Sequence, residues 1–202
     1  MEDSVTKYNH DIDQRLEYLV KRLHTNYEAI GQSSGRPFMY FVYPPAQERY
    51  VQRVISEQLR DDASITVHPI DILPLTIIAL QGQEELRQRL LNDPLRTESA
   101  TEAILRLWTR KIISTIKTKL APTAENEHPV VVLYNLAALY PLGSPTALME
   151  FLAEQEPRNP RTRAIVPIVL LVPGTRPPQT SRLYNFLDQE RLQLSFYRGE
   201  EV

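Results

Sequence analysis

The chain has 202 residues, of which 42% are hydrophobic and 24% are charged, and it contains no cysteine. This composition is that of a folded globular protein, so it excludes a disordered chain, and the lack of thiols excludes disulfides, cysteine nucleophiles and cysteine-ligated zinc. The formal net charge of −2 excludes a global positive field that would hold nucleic acid. We expect a single domain, residues 1–202.

In chain order, the first predicted element is an amphipathic helix over residues 10–30, where apolar residues recur every three to four positions. Residues 38–43 form an aromatic-rich apolar run between prolines, which is typical of a strand buried on both faces. A second helix is predicted from Pro45 to about residue 60, because proline is well tolerated in a first helical turn. The two elements form a strand-to-helix unit.

Residues 65–70 predict a second strand, and Pro69 predicts either a strand end at this position or a strand at the edge of the sheet, since proline cannot donate to a central ladder. Helical spacing then predicts helices over residues 73–91 and 97–120. Together they form a helical insertion, residues 73–120, between the second and third strands.

Two further apolar runs, residues 130–134 and 165–172, predict the third and fourth strands of the sheet, both of them buried. Between them, Ser144-Pro145 matches an N-cap followed by proline and predicts a helix over residues 144–155. Each run is short enough for a strand and is bounded by proline. We therefore expect a strand, a helix and a strand in this order.

The C-terminal segment carries shorter patterns. We expect Pro173-Gly174 to close the fourth strand, residues 182–187 to form one or two helical turns, and residues 192–197 to form a terminal strand. Strands that alternate with helices predict an α/β fold, a mainly parallel sheet of about five strands with helices on both faces.

The beginning of the chain and its apolar content predict a cytoplasmic location. The first residues lack the basic-then-apolar order of a signal peptide. The longest apolar stretch, residues 164–173, is about half of the ~20 residues that a membrane-spanning helix needs. We expect no association with a membrane.

Ligand sites of α/β proteins lie beyond the carboxyl ends of the strands, so the turn after the first strand is informative. Residues 43–47 contain neither the glycines nor the lysine of a phosphate-binding loop, and G-x-G-x-x-G is absent. Asn135 follows the third strand, where a nucleotide hydrolase carries a metal-binding carboxylate. The pattern resembles a degenerate P-loop NTPase fold, which leaves nucleotide binding without hydrolysis as an alternative.

Other catalytic motifs give little support for an enzyme. Residues 31–35 match the G-x-S-x-G motif of serine hydrolases through Ser33, but the match follows a helix and precedes a strand, the reverse of what the motif requires. The four histidines lie far apart, and we expect no metal site and no cofactor. Asp71 ends the second strand, either as a helix cap or as a functional carboxylate.

Basic residues cluster on the long predicted helix, at Arg106, Arg110, Lys111, Lys117 and Lys119. A second cluster precedes the fourth strand, at Arg158, Arg161 and Arg163. The second cluster could contact phosphates, so DNA binding stays open as a less favoured alternative to solvated salt bridges.

Three parts of the chain carry a family pattern: PFMYFVYP at 37–44, VVVLYNLAALYP at 130–141, and PIVLLVPG at 167–174 with LYNFL at 183–187 and FYR at 196–198. Together they resemble the BrxB family of bacterial and archaeal BREX phage-defence systems, and their order runs through most of the chain. Leu142–Ser144 and Arg176 depart from that pattern, which indicates a divergent member.

This resemblance implies a non-catalytic accessory protein that acts beside a PglZ-like phosphatase, a DNA methyltransferase and a large ATPase. Its role would be to scaffold or bridge these partners, so we expect no enzymatic activity. We expect partner contacts at the turns that follow the strands, at Tyr43, Pro44, Asp71, Tyr140, Pro141, Pro173 and Gly174. Proline and glycine also stop strands for reasons unrelated to function.

Overall fold

The structure, a computed structural model, describes residues 2–32, 37–62, 64–124, 127–177 and 183–202. Its first element is helix α1, Glu2–Gln32, which contains the predicted helix and is kinked at Asn26. Leu16, Leu19 and Leu23 form its fully buried stripe. Ser33, the candidate nucleophile of the G-x-S-x-G match, lies outside the described residues.

Seven strands occur in these residues: β1 (Phe38–Tyr43), β2 (Thr66–Asp71), β3 (Pro129–Tyr134), β4 (Ile168–Thr175), β5 (Leu183–Phe186), β6 (Gln193–Ser195) and β7 (Glu200–Glu201). Five of them pair in the order β2-β3-β4-β1-β7, and every ladder along this path is parallel. β5 and β6 continue from the end of β4 as antiparallel strands. The predicted α/β class with a mainly parallel sheet is confirmed.

The remaining helices in the same residues are α2 (Glu48–Gln58), α3 (Ile72–Ile78), α4 (Glu84–Leu91), α5 (Thr97–Leu120) and α6 (Pro145–Gln155). The predicted cap of α6 is confirmed, because Ser144 Oγ accepts a hydrogen bond from the Ala147 N–H at 3.2 Å. Among the described helices, none is both long enough and apolar enough to cross a membrane.

Side chains of β1 alternate between two hydrophobic cores, one on each face of the sheet. Tyr40 and Val42 belong to the core that α3, α5 and α6 cover. Phe41 and Tyr43 belong to the core that α1 and α2 cover. Burial of each large apolar side chain contributes roughly 1.5–3 kcal/mol, so helices pack on both faces as the continuous apolar strands predict.

The helical insertion packs on the sheet through α5, whose residues Ile104, Trp108 and Ile112 are buried. Trp108 Nε1 donates a hydrogen bond to the Thr76 carbonyl oxygen at 3.0 Å, which joins α5 to α3. The prediction of one helix over residues 73–91 is wrong, because two helices separated at Gly82 occupy this segment. Gly82 has φ +79°, a conformation that glycine adopts without strain.

β2 lies at an edge of the sheet, which is one of the two placements that Pro69 predicts. The Thr66 N–H donates to the His128 carbonyl oxygen on the β3 side at 3.0 Å. Because hydrogen-bonding directions alternate along a strand, the nitrogen atoms of Val67 and Pro69 face the open edge. The Val67 N–H donates to Asp61 Oδ1 at 2.7 Å, and Pro69 has no N–H.

Pro173-Gly174 does not close the fourth strand, because β4 continues to Thr175. The Ile168 N–H faces β1, where it donates to the Pro37 carbonyl oxygen at 2.8 Å. By alternation, the nitrogen of Pro173 faces away from β1, so the parallel ladder needs no N–H from Pro173. On that other side its carbonyl oxygen accepts the Leu187 N–H at 3.0 Å.

The prediction of helical turns over residues 182–187 is wrong, because β5 lies there, and Arg182 is outside the described residues. Tyr184 and Phe186 are buried, which is the alternation of a strand. β4 on one side and β6 on the other supply the hydrogen-bonding partners that keep this short segment extended. The terminal strand predicted over residues 192–197 is the shorter β6.

Candidate functional site

Four polar side chains meet where β1, β2 and β3 end, and we call Glu48, Gln52, Asp71 and Asn135 the carboxyl-edge cluster. Gln52 Nε2 donates to Glu48 Oε1 at 2.9 Å and to Asn135 Oδ1 at 2.7 Å. Asn135 Nδ2 donates to Asp71 Oδ1 at 2.8 Å. The cluster is a continuous chain of side-chain hydrogen bonds that joins three elements of the fold.

The fold brings these residues together from distant positions in the sequence. Glu48 and Gln52 lie one turn apart on α2, so they share a face of that helix. Asp71 is the last residue of β2, and Asn135 follows β3 directly. Asn135 has φ 58° and ψ 37°, the left-handed region that asparagine tolerates better than most residues.

Asp71 accepts a second hydrogen bond, which bears on whether this residue is a helix cap, one of the two roles that the sequence allows. Its Oδ1 accepts the Leu73 N–H at 3.0 Å, so Asp71 is the N-cap of α3. The same carboxylate oxygen accepts the amide of Asn135. The capping role is therefore confirmed, and it ties the start of the helical insertion to the cluster.

Partial burial alters the acidity of the groups in and around the cluster. Burial raises the pKa of Glu48, and the negative charge of Asp71 adds to this effect, whereas the neighbouring Tyr43 side chain and the hydrogen bond from Gln52 oppose it. Burial also raises the pKa of Tyr134, with a further contribution from Asp71. Burial first, and then the carboxylate of Glu48, raise the pKa of Tyr43 far above its usual range.

Three of the seven predicted contact residues are buried. Tyr43 is fully buried in the core beneath α2, and Pro173 and Gly174 are buried within β4. A Cβ atom at Gly174 would lie 2.7 Å from the Asn185 carbonyl oxygen, so glycine is required there for the close approach of β5. These three residues shape the carboxyl edge without presenting a surface to a partner.

The other predicted contact residues are more accessible. Pro44 and Asp71 are half-buried, whereas Tyr140 and Pro141 are exposed. The Tyr140 hydroxyl accepts a hydrogen bond from Arg191 Nη2 at 3.1 Å, which holds the ring beside the segment between β5 and β6. Tyr140 and Pro141 are thus the members of the predicted set with the most surface to offer.

The predicted phosphate-contacting arginines lie in the segment before β4, at the opposite end of that strand from the cluster. Arg158 donates to Glu156 Oε2 at 2.6 Å and to the Arg163 carbonyl oxygen at 2.9 Å, so its guanidinium stabilises its own loop. Arg161 and Arg163 are exposed. The fold does not bring them near the carboxyl edge.

The basic cluster of the long helix borders a groove between α5 and α6, which we call the α5/α6 groove. It has a volume of about 880 Å³. Arg106, Arg110 and Lys117 line it, whereas Lys111 and Lys119 do not. A second groove, of about 750 Å³, lies between α2 and the uncovered face of β2 and β3, next to Gln52 and Tyr134.

Sequence reasoning did not single out Glu48 or Gln52. The available signal was a pair of polar residues four positions apart on the first helix after the first buried strand, a place that faces the carboxyl edge in α/β folds. From the sequence alone, Asn135 is only an amide in the place of a carboxylate. Its role as the bridge between α2 and β2 depends on tertiary structure.

Comparison of the chain with protein-family models, with curated proteins and with solved structures found no match.

Proposed function

We propose that this chain is a non-catalytic accessory protein of a BREX-type bacteriophage defence system, in which it bridges protein partners such as a PglZ-like phosphatase and a DNA methyltransferase. The resemblance of three ordered segments to the BrxB family suggests this role. One structural observation supports it most directly: at the carboxyl edge, where α/β proteins bind ligands, the polar side chains are hydrogen-bonded to one another.

The backbone at the same edge supports a non-catalytic role. An anion site at a strand-to-helix turn needs several free backbone N–H groups that converge on the ligand. Pro44 and Pro45 have none, and the Gln47 N–H donates to the Pro44 carbonyl oxygen at 2.8 Å. The first turn is therefore poorly suited to bind a nucleotide phosphate, and under this proposal the sheet is a P-loop-like scaffold that has lost its phosphate site.

The partner surface that we propose at this edge centres on Tyr140 and Pro141. Both are exposed, and Arg191 orients the tyrosine ring from the opposite segment. Tyrosine is among the residues that contribute most to protein interfaces, because it combines a large apolar ring with a hydroxyl. An oriented ring also loses little conformational freedom on binding.

Size-exclusion chromatography with light scattering tests this function on the full chain mixed with a PglZ-like protein from the same gene neighbourhood. We expect one peak with the summed mass of the two proteins. Tyr140→Ala should weaken the complex, whereas Tyr197→Ala, which removes another exposed tyrosine, should leave it intact. Separate elution of the unaltered proteins at micromolar concentration would argue against the bridging function.

A further inference from the structure

The α5/α6 groove has a basic wall and an apolar floor. Arg106, Arg110 and Lys117 lie along α5 on the groove side. From the helical rise, the outer two of these cations are about 16 Å apart along the helix axis. Ile113 and Phe151, both half-buried, supply apolar surface between α5 and α6. An amphipathic helix binds in a groove of this kind through its apolar face.

Most of the positive charge in this groove is not used within the described part of the protein. Arg106 pairs with Glu102 at 3.4 Å, but both side chains are well exposed, so the pair is weak. Arg110 and Lys117 form no ion pair with any described residue. The fold thus leaves two cations, seven residues apart, on one wall of an apolar groove.

The distribution of charge favours an acidic helix over a nucleic acid. The cations lie on the α5 wall only, whereas α6 contributes Phe151 and Gln155 and carries the exposed Glu150 and Glu154 on its solvent side. A phosphate backbone in the groove would cover apolar surface without pairing with it. An amphipathic helix can bury its apolar face on the floor and turn its acidic flank toward α5.

The spacing of the cations agrees with this occupant. Arg110 and Lys117 are one heptad apart, so a helix that runs along α5 would meet them with residues of one flank, as in paired helices. We propose that the α5/α6 groove binds an acidic amphipathic helix of a protein partner. This inference rests on the proposed bridging function and adds a second docking surface, on a face of the protein covered by α5 and α6.

Fluorescence anisotropy with defined probes tests the groove without knowledge of the partner. The first probe is a labelled 21-residue helical peptide with leucines on one face and glutamates on one flank. The second replaces every glutamate by lysine, and the third is a 20-base-pair DNA duplex. We expect the unaltered protein to bind the glutamate peptide at least tenfold more tightly than the lysine peptide, with an affinity that falls as salt rises.

A charge-reversal pair identifies the binding site. Arg110→Glu combined with Lys117→Glu should lower the affinity for the glutamate peptide at least tenfold and should make the lysine peptide the tighter ligand. The matched control is Lys111→Glu combined with Lys119→Glu, which makes the same change in net charge on the same helix outside the groove. Lys119 lies in the last turn of α5, as Lys117 does. The control should bind both peptides as the unaltered protein does.

Equal binding of the two peptides, equal effects of the two variants, or tighter binding of the duplex would each overturn this inference. The inference would also be overturned if the unaltered protein had the mass of a dimer in solution and this dimer did not bind the peptide. A second copy of the chain would then fill the groove. Failure of the PglZ-like protein to co-elute would count against the proposed function alone. Co-elution with that protein, together with equal binding of the two peptides by the unaltered protein, would count against this inference alone.

Discussion

The carboxyl-edge cluster and the α5/α6 groove are both rich in polar side chains, but these side chains have different partners. In the cluster, Asn135 and Gln52 join two carboxylates through hydrogen bonds of 2.7–2.9 Å. In the groove, Arg110 and Lys117 have no ion-pair partner among the described residues. Polar groups that satisfy each other stabilise a fold, whereas unsatisfied and exposed charges are available for binding.

This difference predicts opposite effects of substitution. Removing a cluster residue should cost stability, because its neighbours lose hydrogen bonds in a half-buried environment. Removing a groove cation should hardly affect stability, because the side chain is solvated. Unfolding measurements can therefore separate the two regions, and the following changes run from the largest expected effect to the smallest.

Asn135→Ala should have the largest effect, a loss of about 2–4 kcal/mol in the free energy of unfolding. The change removes the bridge between Gln52 and Asp71, and it places alanine in a left-handed conformation. Urea unfolding followed by circular dichroism measures the loss. Asn135→Gly removes the same hydrogen bonds, but glycine adopts the left-handed conformation without strain, so this variant should lose about 1 kcal/mol less than Asn135→Ala. Equal losses in the two variants would show that backbone strain does not contribute.

Asp71→Ala should cost about 1–3 kcal/mol, because it removes the N-cap of α3 and the acceptor of Asn135 together. Asp71→Asn keeps an oxygen that can accept one of these hydrogen bonds, so it should cost less. The same urea titration compares the two variants. A loss below about 0.5 kcal/mol for the alanine variant would mean that Asp71 is not part of a stabilising network.

Glu48→Gln should raise stability at pH 7 by less than about 1 kcal/mol, since the side chain is partly solvated. The pKa of Glu48 is raised in the folded protein, so the folded state binds its proton more tightly than the unfolded state does. The stabilisation that the folded protein gains from this tighter proton binding is complete below the ordinary pKa of glutamate. It is lost as pH rises through the raised pKa. The stability difference between the variant and the unaltered protein should therefore grow above pH 4.5.

Thermal unfolding at a series of pH values measures this difference. Glu57→Gln is the control, since Glu57 lies on the same helix but is exposed. If Glu48→Gln is less stable than the unaltered protein at pH 7, the prediction is wrong. The hydrogen bonds of the carboxylate would then stabilise the fold by more than the burial of its charge destabilises it.

Arg110→Ala should have the smallest effect, within about 0.5 kcal/mol of the unaltered protein. The guanidinium is exposed, and alanine is a better helix former than arginine. The same urea titration checks it. Destabilisation by more than 1 kcal/mol would mean that Arg110 contributes to packing and is not available for a partner.

The sequence predicted β1, β3 and β4 because each is a continuous apolar run beside prolines, a pattern that fits few other structures. It did not predict β7, which pairs with β1. For β2, Pro69 left a strand end and an edge strand as alternatives, and the order of the sheet decides for the edge. The sequence did not predict β5, since the apolar spacing of four residues fits a helical turn and a strand equally well. The hydrogen-bonding partners that make this segment a strand lie on β4 and β6.

The candidate site was predicted less completely than the sheet, because its contacts also join residues that are distant in the sequence. Tyr43 and Pro173 lie near the carboxyl ends of β1 and β4, but the sequence does not show that α2 and β5 bury them. Asp71 was recognised because a cap is a local feature, and its bond to Asn135 was not, because the two residues are 64 positions apart. Local hydrogen bonds can be predicted from spacing, whereas a network across elements requires the fold.

The protected edge of β2 has a consequence for assembly. An open edge of a parallel sheet can recruit a strand from another molecule through its free N–H groups, which leads to aggregation. At β2 the Val67 N–H is already bound by Asp61, and Pro69 has no hydrogen to donate. These two features protect β2 against edge-to-edge pairing with another copy of the chain.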